Sequence, residues 1–295
     1  MKDYRGTGVA MVTPFDSNGK IDFPALEKLT RHLIDGGVDY LVVQGTTGES
    51  ATLSGPEKQE VLDCVVDVND GALPIVFGHG GNATKALIDR LDAIDMGGVD
   101  AILSASPFYN KPTQSGIIAH YQALANASSK PIIMYNVPGR TCSNMLPDTT
   151  LKLAEHKNII GIKEASGNLD QVGAIIKNKP DNFLVISGDD PLIVPHMALG
   201  GDGIISVVAN AYPKAFSSIA SSCLQGDYNH ARKTHYMLVD LIHMLFEEGN
   251  PGGVKAVLSI MKIIENQLRL PLVPVSKTHY EKLSTEVNRI RKHEI

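Results

Sequence analysis

Eight short apolar runs, each passing into Gly, Thr, Ser or Asn and each followed by a stretch of helical periodicity, constrain this chain most. They read GVAMVTPF, YLVVQGTTG, PIVFGHGG, AILSASPF, PIIMYNVPG, IIGIKEAS, FLVISGDD and GIISVVAN. Segments between them, such as FPALEKLTRHLIDGG, EKQEVLDCVVDV and TKALIDRLDAIDMGG, space their apolar residues as amphipathic helices do. Near-continuous apolar strands alternating with helices indicate a parallel sheet covered by helices, because such strands are buried on both faces. Eight units are the number that closes a barrel. The expected fold class is α/β, a (β/α)8 TIM barrel with additional C-terminal helices. An internal echo marks the units: GGVDYLVV begins at Gly36, GGVDAILS at Gly97 and GGDGIISV at Gly200. Each sets a Gly helix stop against the next strand.

The barrel is expected over residues 1–210, with the eighth helix running to about 225. Residues 226–295 show no Ser/Gly linker or composition break. They are expected as a C-terminal extension, helical throughout and packed on the barrel. The 295 residues carry a net charge of −5 with basic residues scattered, which argues against a nucleic-acid surface. The one basic run, NRIRKHEI, is expected as a solvated helix end. The start, MKDYRGTGVAMVTPF, has no apolar signal core, and no window approaches the ~20 apolar residues of a membrane helix. No membrane partner and a cytoplasmic location are expected. Cys64, Cys142 and Cys223 are odd in number and far apart, as reduced thiols would be.

In a barrel of this kind the active site lies at the C-terminal ends of the strands. Lys163, in IIGIKEAS, sits there at the end of an apolar run. Strand parity places Ile159, Gly161, Lys163 and Ala165 on the barrel face, and Ile160, Ile162 and Glu164 on the helix face. Gly161 beneath Lys163 is expected to leave room for the aliphatic stem. Desolvation lowers a lysine pKa, and a neutral amine is the nucleophile for a Schiff base with a carbonyl substrate. The isolated stretch is equally compatible with a lysine that pairs with Glu164 or snorkels outward.

Three further motifs converge on the same mouth. Tyr135, in PIIMYNVPGR, shares a face with Ile133 and lies level with Lys163 on the preceding strand, where it is either a proton-transfer group or a packed aromatic. GTTGES (45–50) has the hydroxyls and backbone N–H groups to hold a small carboxylate, or is an ordinary βα turn. Arg140 follows the fifth strand and suits a second carboxylate, unless it is a surface residue. No metal is expected, since the ten histidines form no ligand pattern and the cysteines no pair. The adjacent carboxylates of SGDD (187–190) read as a cap and turn at a helix start. No dinucleotide fingerprint follows a strand.

GTTGES, YNVPGRT and GIKEASG, in this order and at these strand positions, resemble the pyruvate-dependent class I aldolases related to N-acetylneuraminate lyase, over essentially the whole chain. The resemblance implies that Lys163 forms a Schiff base with pyruvate. It implies that Thr46, Tyr135 and Tyr109 form a relay of hydroxyls, with Tyr109 lent by a neighbouring subunit. Thr47 would join Thr46 in holding the pyruvate carboxylate, while the backbone at Gly188 and Ile205 helps place Lys163 and the substrate. Arg140 implies members that condense pyruvate with L-aspartate-4-semialdehyde in lysine and diaminopimelate biosynthesis, rather than relatives acting on sugar acids. No cofactor is implied, because the protonated imine is its own electron sink. Self-association as a dimer of dimers is implied. Family members inhibited by lysine share Ser50, Ala51 and Asn82, but commonly have histidines where this chain has Gly55 and Lys58, a glutamate at Ala86 and a tyrosine at Phe108. Losing an anion and gaining a cation implies weak or absent lysine feedback.

Overall fold

A computed structural model of the chain describes residues 2–292. Its strands are β1 (Gly6–Ala10), β2 (Tyr40–Val43), β3 (Ile75–Gly78), β4 (Ala101–Ala105), β5 (Ile132–Asn136), β6 (Ile159–Glu164), β7 (Leu184–Ser187) and β8 (Gly203–Ser206). Each pairs in parallel with its neighbours in sequence, and β8 pairs with β1 to close the barrel. The expected (β/α)8 architecture is therefore the one the chain adopts.

Both strand faces are buried, which accounts for the unbroken apolar runs. Val42, Val76, Leu103, Ile133, Ile186 and Ile205 fill the barrel interior. Leu41, Val43, Ile75 and Phe77 pack outward against helices, as do Ile132, Met134, Ile162 and Val185. Strand β6 departs from simple alternation. Ile160 lies in the interior cluster and Ile159 among the helix-facing residues, the reverse of the parity expectation. The cause is a register shift: Ile132 pairs with Ile159 but Ile133 with Gly161, so Ile160 is an extra residue in β6. A bulge of this kind flips the facing of everything on one side of it.

The Gly-Gly echo has a second meaning that the sequence reading missed. Asp39, Asp100 and Asp202 stand immediately before β2, β4 and β8. Asp39 donates its N–H to Thr7 O (2.8 Å) and accepts from Thr7 N–H through Oδ2 (2.7 Å). Asp100 does the same with Ile75 (2.8 and 2.9 Å), and Asp202 with Val185 (2.9 and 2.8 Å). Each aspartate thus clamps the start of the preceding strand, where a backbone donor needs a partner.

Beyond β8, the helices Pro213–Leu224, Tyr228–Glu247, Gly252–Ile260 and Lys277–Arg291 pack on one another. Leu241, Val257 and Val287 join the same core as Val9 and Leu29, which ties this region to the barrel. The region is not helical throughout: residues 261–276 form an irregular strap. Pro271 and Pro274 lack the N–H a helix needs there. The end of the basic run, residues 293–295, lies outside the described residues. Within it, Arg289 pairs with Glu286 (2.6 Å) and donates to Met237 O (2.8 Å), so that helix end is tied down.

Replacing Asp100 with Ala leaves the Ile75 N–H without its carboxylate. The expected loss is about 1–3 kcal/mol, seen as a Tm several degrees lower. Kinetic constants should not change, because Asp100 lies at the barrel end opposite the mouth. Differential scanning calorimetry and a steady-state assay check both statements.

Candidate active site

Lys163 and Tyr135 are register partners on β6 and β5. The Lys163 Nζ lies 4.5 Å from the Tyr135 ring centroid, over its face. Both side chains are buried among the interior residues, Lys163 at 5% exposure. Burial brings the Lys163 amine down to about 8, and the Arg140 guanidinium pushes the same way, against the opposing pull of Asp190 and Asp189. At pH 8 about half of such an amine is neutral, against about 0.3% for an ordinary lysine near 10.5. Burial raises the Tyr135 hydroxyl to about 12, so it carries its proton at neutral pH and can donate it. A neutral amine next to a protonated hydroxyl can add to a carbonyl and pass a proton to its oxygen.

Two glycines shape this position, and not as the sequence suggested. A Cβ on Gly161 would meet Leu184 O and Cβ at 2.8 Å, so that glycine admits β7 rather than the lysine stem. Gly188 is the one that makes room: a Cβ there would lie 2.9 Å from Lys163 Cε and 3.2 Å from its Cγ. Gly188 N–H donates to Glu164 O (2.8 Å), which continues the β6–β7 ladder past Lys163. Ile205, fully buried, belongs to the same interior cluster as Tyr135.

Asp189 stands at the N-cap position of the short turn Asp190–Leu192, but its side chain makes no capping bond. Asp190 is buried, accepts from Ser206 Oγ and from Val207 N–H (3.1 Å), and so binds the end of β8. Burial lifts its carboxyl to about 6, against the lowering pull of those hydrogen bonds and of Lys163. Asp189 accepts from Gly167 N–H (3.1 Å) and carries a carboxyl raised by burial. Sequence reasoning placed SGDD at the turn that leads into a helix but missed what its carboxylates bind. Asp190 and Asp189 are the anions that temper the lysine.

The 45–50 segment makes a tight turn at the same end of the barrel. Gly48 N–H bonds Gly45 O (3.1 Å) and Glu49 N–H bonds Thr46 O (3.1 Å), so the N–H groups of Thr46 and Thr47 lie at the turn's open end. Thr46 is exposed, whereas Thr47 is 3% exposed and its Oγ1 accepts from Asn250 Nδ2 (2.9 Å). Beneath the turn, Glu49 has left-handed φ (+53°) and forms an ion pair with Lys255, both side chains fully buried. Lys255 Nζ also donates to Gln267 O (2.8 Å) and lies 4.2 Å from the Phe15 ring centroid. Arg269 completes the support, bonding Glu49 Oε2 through its N–H (3.1 Å) and Glu57 through its guanidinium (2.6 Å). Asn250, Lys255 and Arg269 had no motif to announce them, since only the folded chain brings them under a turn about 200 residues earlier.

Arg140 sits in the short helix Pro138–Thr141 after β5, exposed at the mouth, where its charge is felt by both Lys163 and Tyr135. Tyr109 is not gathered with the others. It is 86% exposed and held at φ +71°, with Lys111 at +45° on the same loop. Such conformations cost about 1–3 kcal/mol each in a non-glycine residue. Among the described residues, no group of three or more His, Cys, Asp or Glu is placed to hold a metal ion.

Residues 3–290 match the model of the dihydrodipicolinate synthetase family. The chain belongs to that family. A relative from Parabacteroides distasonis named 4-hydroxy-tetrahydrodipicolinate synthase is 50% identical over 282 residues, 95% of each chain. A relative of the same name from Flavobacterium psychrophilum is 48% identical over 293 residues, 99% of this chain and 100% of its own. The crystal structure of a chloride inhibited dihydrodipicolinate synthase from Acinetobacter baumannii, complexed with pyruvate, is 39% identical. It has a TM-score of 0.95, covering 98% of this chain and 99% of that one.

Replacing Asp190 with Asn removes an anion that holds a proton on Lys163. The Lys163 pKa should fall below about 8, and the acid limb of kcat/KM for the carbonyl substrate should move to lower pH. A pH–rate profile that stays in place or moves upward contradicts this account of the amine.

Proposed function

We propose that the chain catalyses the 4-hydroxy-tetrahydrodipicolinate synthase reaction, joining pyruvate to L-aspartate-4-semialdehyde through a Schiff base on Lys163. The observation that carries this reading is the buried Lys163 amine, depressed to about 8 and stacked on its register partner Tyr135. The neutral amine adds to the pyruvate ketone, and water leaves to give the imine. Loss of a methyl proton gives an enamine, whose carbon attacks the aldehyde of the semialdehyde. The substrate's own amine then displaces Lys163 as the ring closes, which frees the enzyme. Tyr135 passes protons in these steps, together with Thr46 and with Tyr109 from a second subunit. The exposure of Tyr109 in a single chain supports that loan. Thr46 and Thr47 hold the pyruvate carboxylate, the backbone at Gly188 and Ile205 borders it, and Arg140 holds the carboxylate of the semialdehyde.

The working assembly is a dimer of dimers, in which each tight dimer supplies Tyr109 across its interface. No helix among the described residues is long and apolar enough to cross a membrane, and we place the enzyme in the cytoplasm.

Borohydride reduction in the presence of pyruvate should leave one reduced pyruvate on Lys163, read by intact mass and peptide mapping. Pyruvate with the semialdehyde should turn over, while N-acetylneuraminate and 2-keto-3-deoxy sugar acids should not. An unlabelled Lys163 would falsify the imine mechanism, and turnover of a sugar acid alone would shift the reading to a sugar-acid aldolase.

Lysine feedback should be weak. Lys58 is half-buried, and burial and the Arg90 charge pull its amine below the ordinary lysine value. His79 is buried and held down by burial in the field of both cations. Lys58 and Arg90 set two positive charges near one another, which would repel the ammonium of a lysine bound beside them. A steady-state assay should show full activity at micromolar lysine, and strong inhibition there would count against the reading.

A further inference from the structure

We propose that Asn250 is a positioning residue for the first substrate, because it fixes the direction in which the Thr47 hydroxyl points its hydrogen. The proposal rests on the reading that Thr47 holds the pyruvate carboxylate. Asn250 lies outside the barrel, between the helices Tyr228–Glu247 and Gly252–Ile260. Its Nδ2 donates to Thr47 Oγ1 at 2.9 Å. Its Oδ1 is buried without a partner, so Thr47 is the group that the side-chain amide bonds among the described residues.

A threonine hydroxyl has one hydrogen to give and two lone pairs to receive with. An amide that donates to the oxygen occupies a lone pair and offers no acceptor to the hydrogen. The hydrogen is left for a ligand, and a carboxylate is the acceptor that a donor hydroxyl next to two free backbone N–H groups would select. Without Asn250, the hydroxyl can turn and the donor is aligned only part of the time. The cost then falls on binding of the carboxylate rather than on the later chemistry.

The turn that carries Thr47 does not depend on Asn250 for its shape. Thr13 Oγ1 donates to Gly48 O (2.6 Å), Arg269 N–H bonds Glu49 Oε2 (3.1 Å), and Lys255 pairs with Glu49. The Asn250 segment is itself joined to the helix that carries Lys255, since Lys255 N–H bonds Pro251 O (3.0 Å). Removing the amide should therefore free the hydroxyl while the backbone of the turn stays in place.

The test compares Asn250→Ala, Asn250→Asp and Thr47→Val by steady-state kinetics and Tm. Asn250→Ala should raise the KM for pyruvate about tenfold, the usual scale for a lost hydrogen bond to a charged group. The semialdehyde KM and kcat should change little. Asn250→Asp keeps the shape but inverts the polarity: its carboxylate takes the hydroxyl hydrogen and sets a negative charge beside the substrate's own. It should therefore raise the pyruvate KM more than Asn250→Ala does, and Asn250→Ala should add nothing in a Thr47→Val background. An Asn250→Asp variant with wild-type pyruvate KM, or one milder than Asn250→Ala, overturns the proposal. So does a uniform loss in every kinetic constant accompanied by a large fall in Tm, which would mark Asn250 as structural. If Thr47→Val raises the pyruvate KM and neither Asn250 variant does, the positioning role alone is lost. If Thr47→Val leaves that KM unchanged, the reading of Thr47 is lost as well.

Discussion

The cost of keeping an amine out of water governs this protein. An ammonium ion buried among Ile133, Ile186 and Ile205 loses its hydration, and among the described residues no direct ion pair returns it. The group responds by releasing its proton more readily. The apolar wall, the closed barrel and the space above Gly188 all serve to hold Lys163 in that condition. The carboxylates of Asp189 and Asp190 oppose it without cancelling it. The result is an amine that is available to a carbonyl yet can still regain a proton when an imine must be protonated.

The second buried amine shows what a different environment does. Lys255 is also fully buried and also brought down to about 8 by desolvation. Each amine lies over an aromatic face, but Lys255 has what Lys163 lacks: a carboxylate in contact at Glu49 and a carbonyl at Gln267. Its hydrogens are committed to structure, and it braces the turn that bears Thr46 and Thr47. Two lysines with the same depressed basicity therefore do unlike work, and their contacts separate them. Basicity alone would not have told nucleophile from brace.

Much of this was legible in the sequence, and the failures have physical reasons. Strand–helix alternation has a strong period, so the eight units and the barrel could be read directly. Lys163 and Tyr135 were legible because they interrupt apolar strand ends. The parity of Ile159 and Ile160 was misread because a bulge leaves no mark in an apolar run. Gly161 was given the room-making role that Gly188 fills, because the neighbour that crowds a glycine comes from another strand. Asp190 looked like a helix cap because local sequence favours that reading, whereas its partner Ser206 is 16 residues away. The strap at residues 261–276 was taken as helix although Pro271 and Pro274 argued otherwise. Asn250 and Arg269 were invisible, because their value depends wholly on the tertiary contact.

The aspartate clamps divide the barrel into pairs: β1 with β2, β3 with β4, and β7 with β8. The fourth pair, β5 with β6, has no such aspartate. Asn158 precedes β6 and spends its amide on the carbonyls of Ala125, Ser128 and Lys130. This unclamped pair is the one that accommodates the additional Ile160. Under strict alternation from Ile159, Lys163 would face the helices and Glu164 the interior; the bulge absorbs Ile160 and keeps Lys163 in register with Tyr135. The bulge, and not the residue count along the strand, thus decides which side of the wall the nucleophile is on. The strand pair least constrained at its base is the one on which the chemistry could be installed.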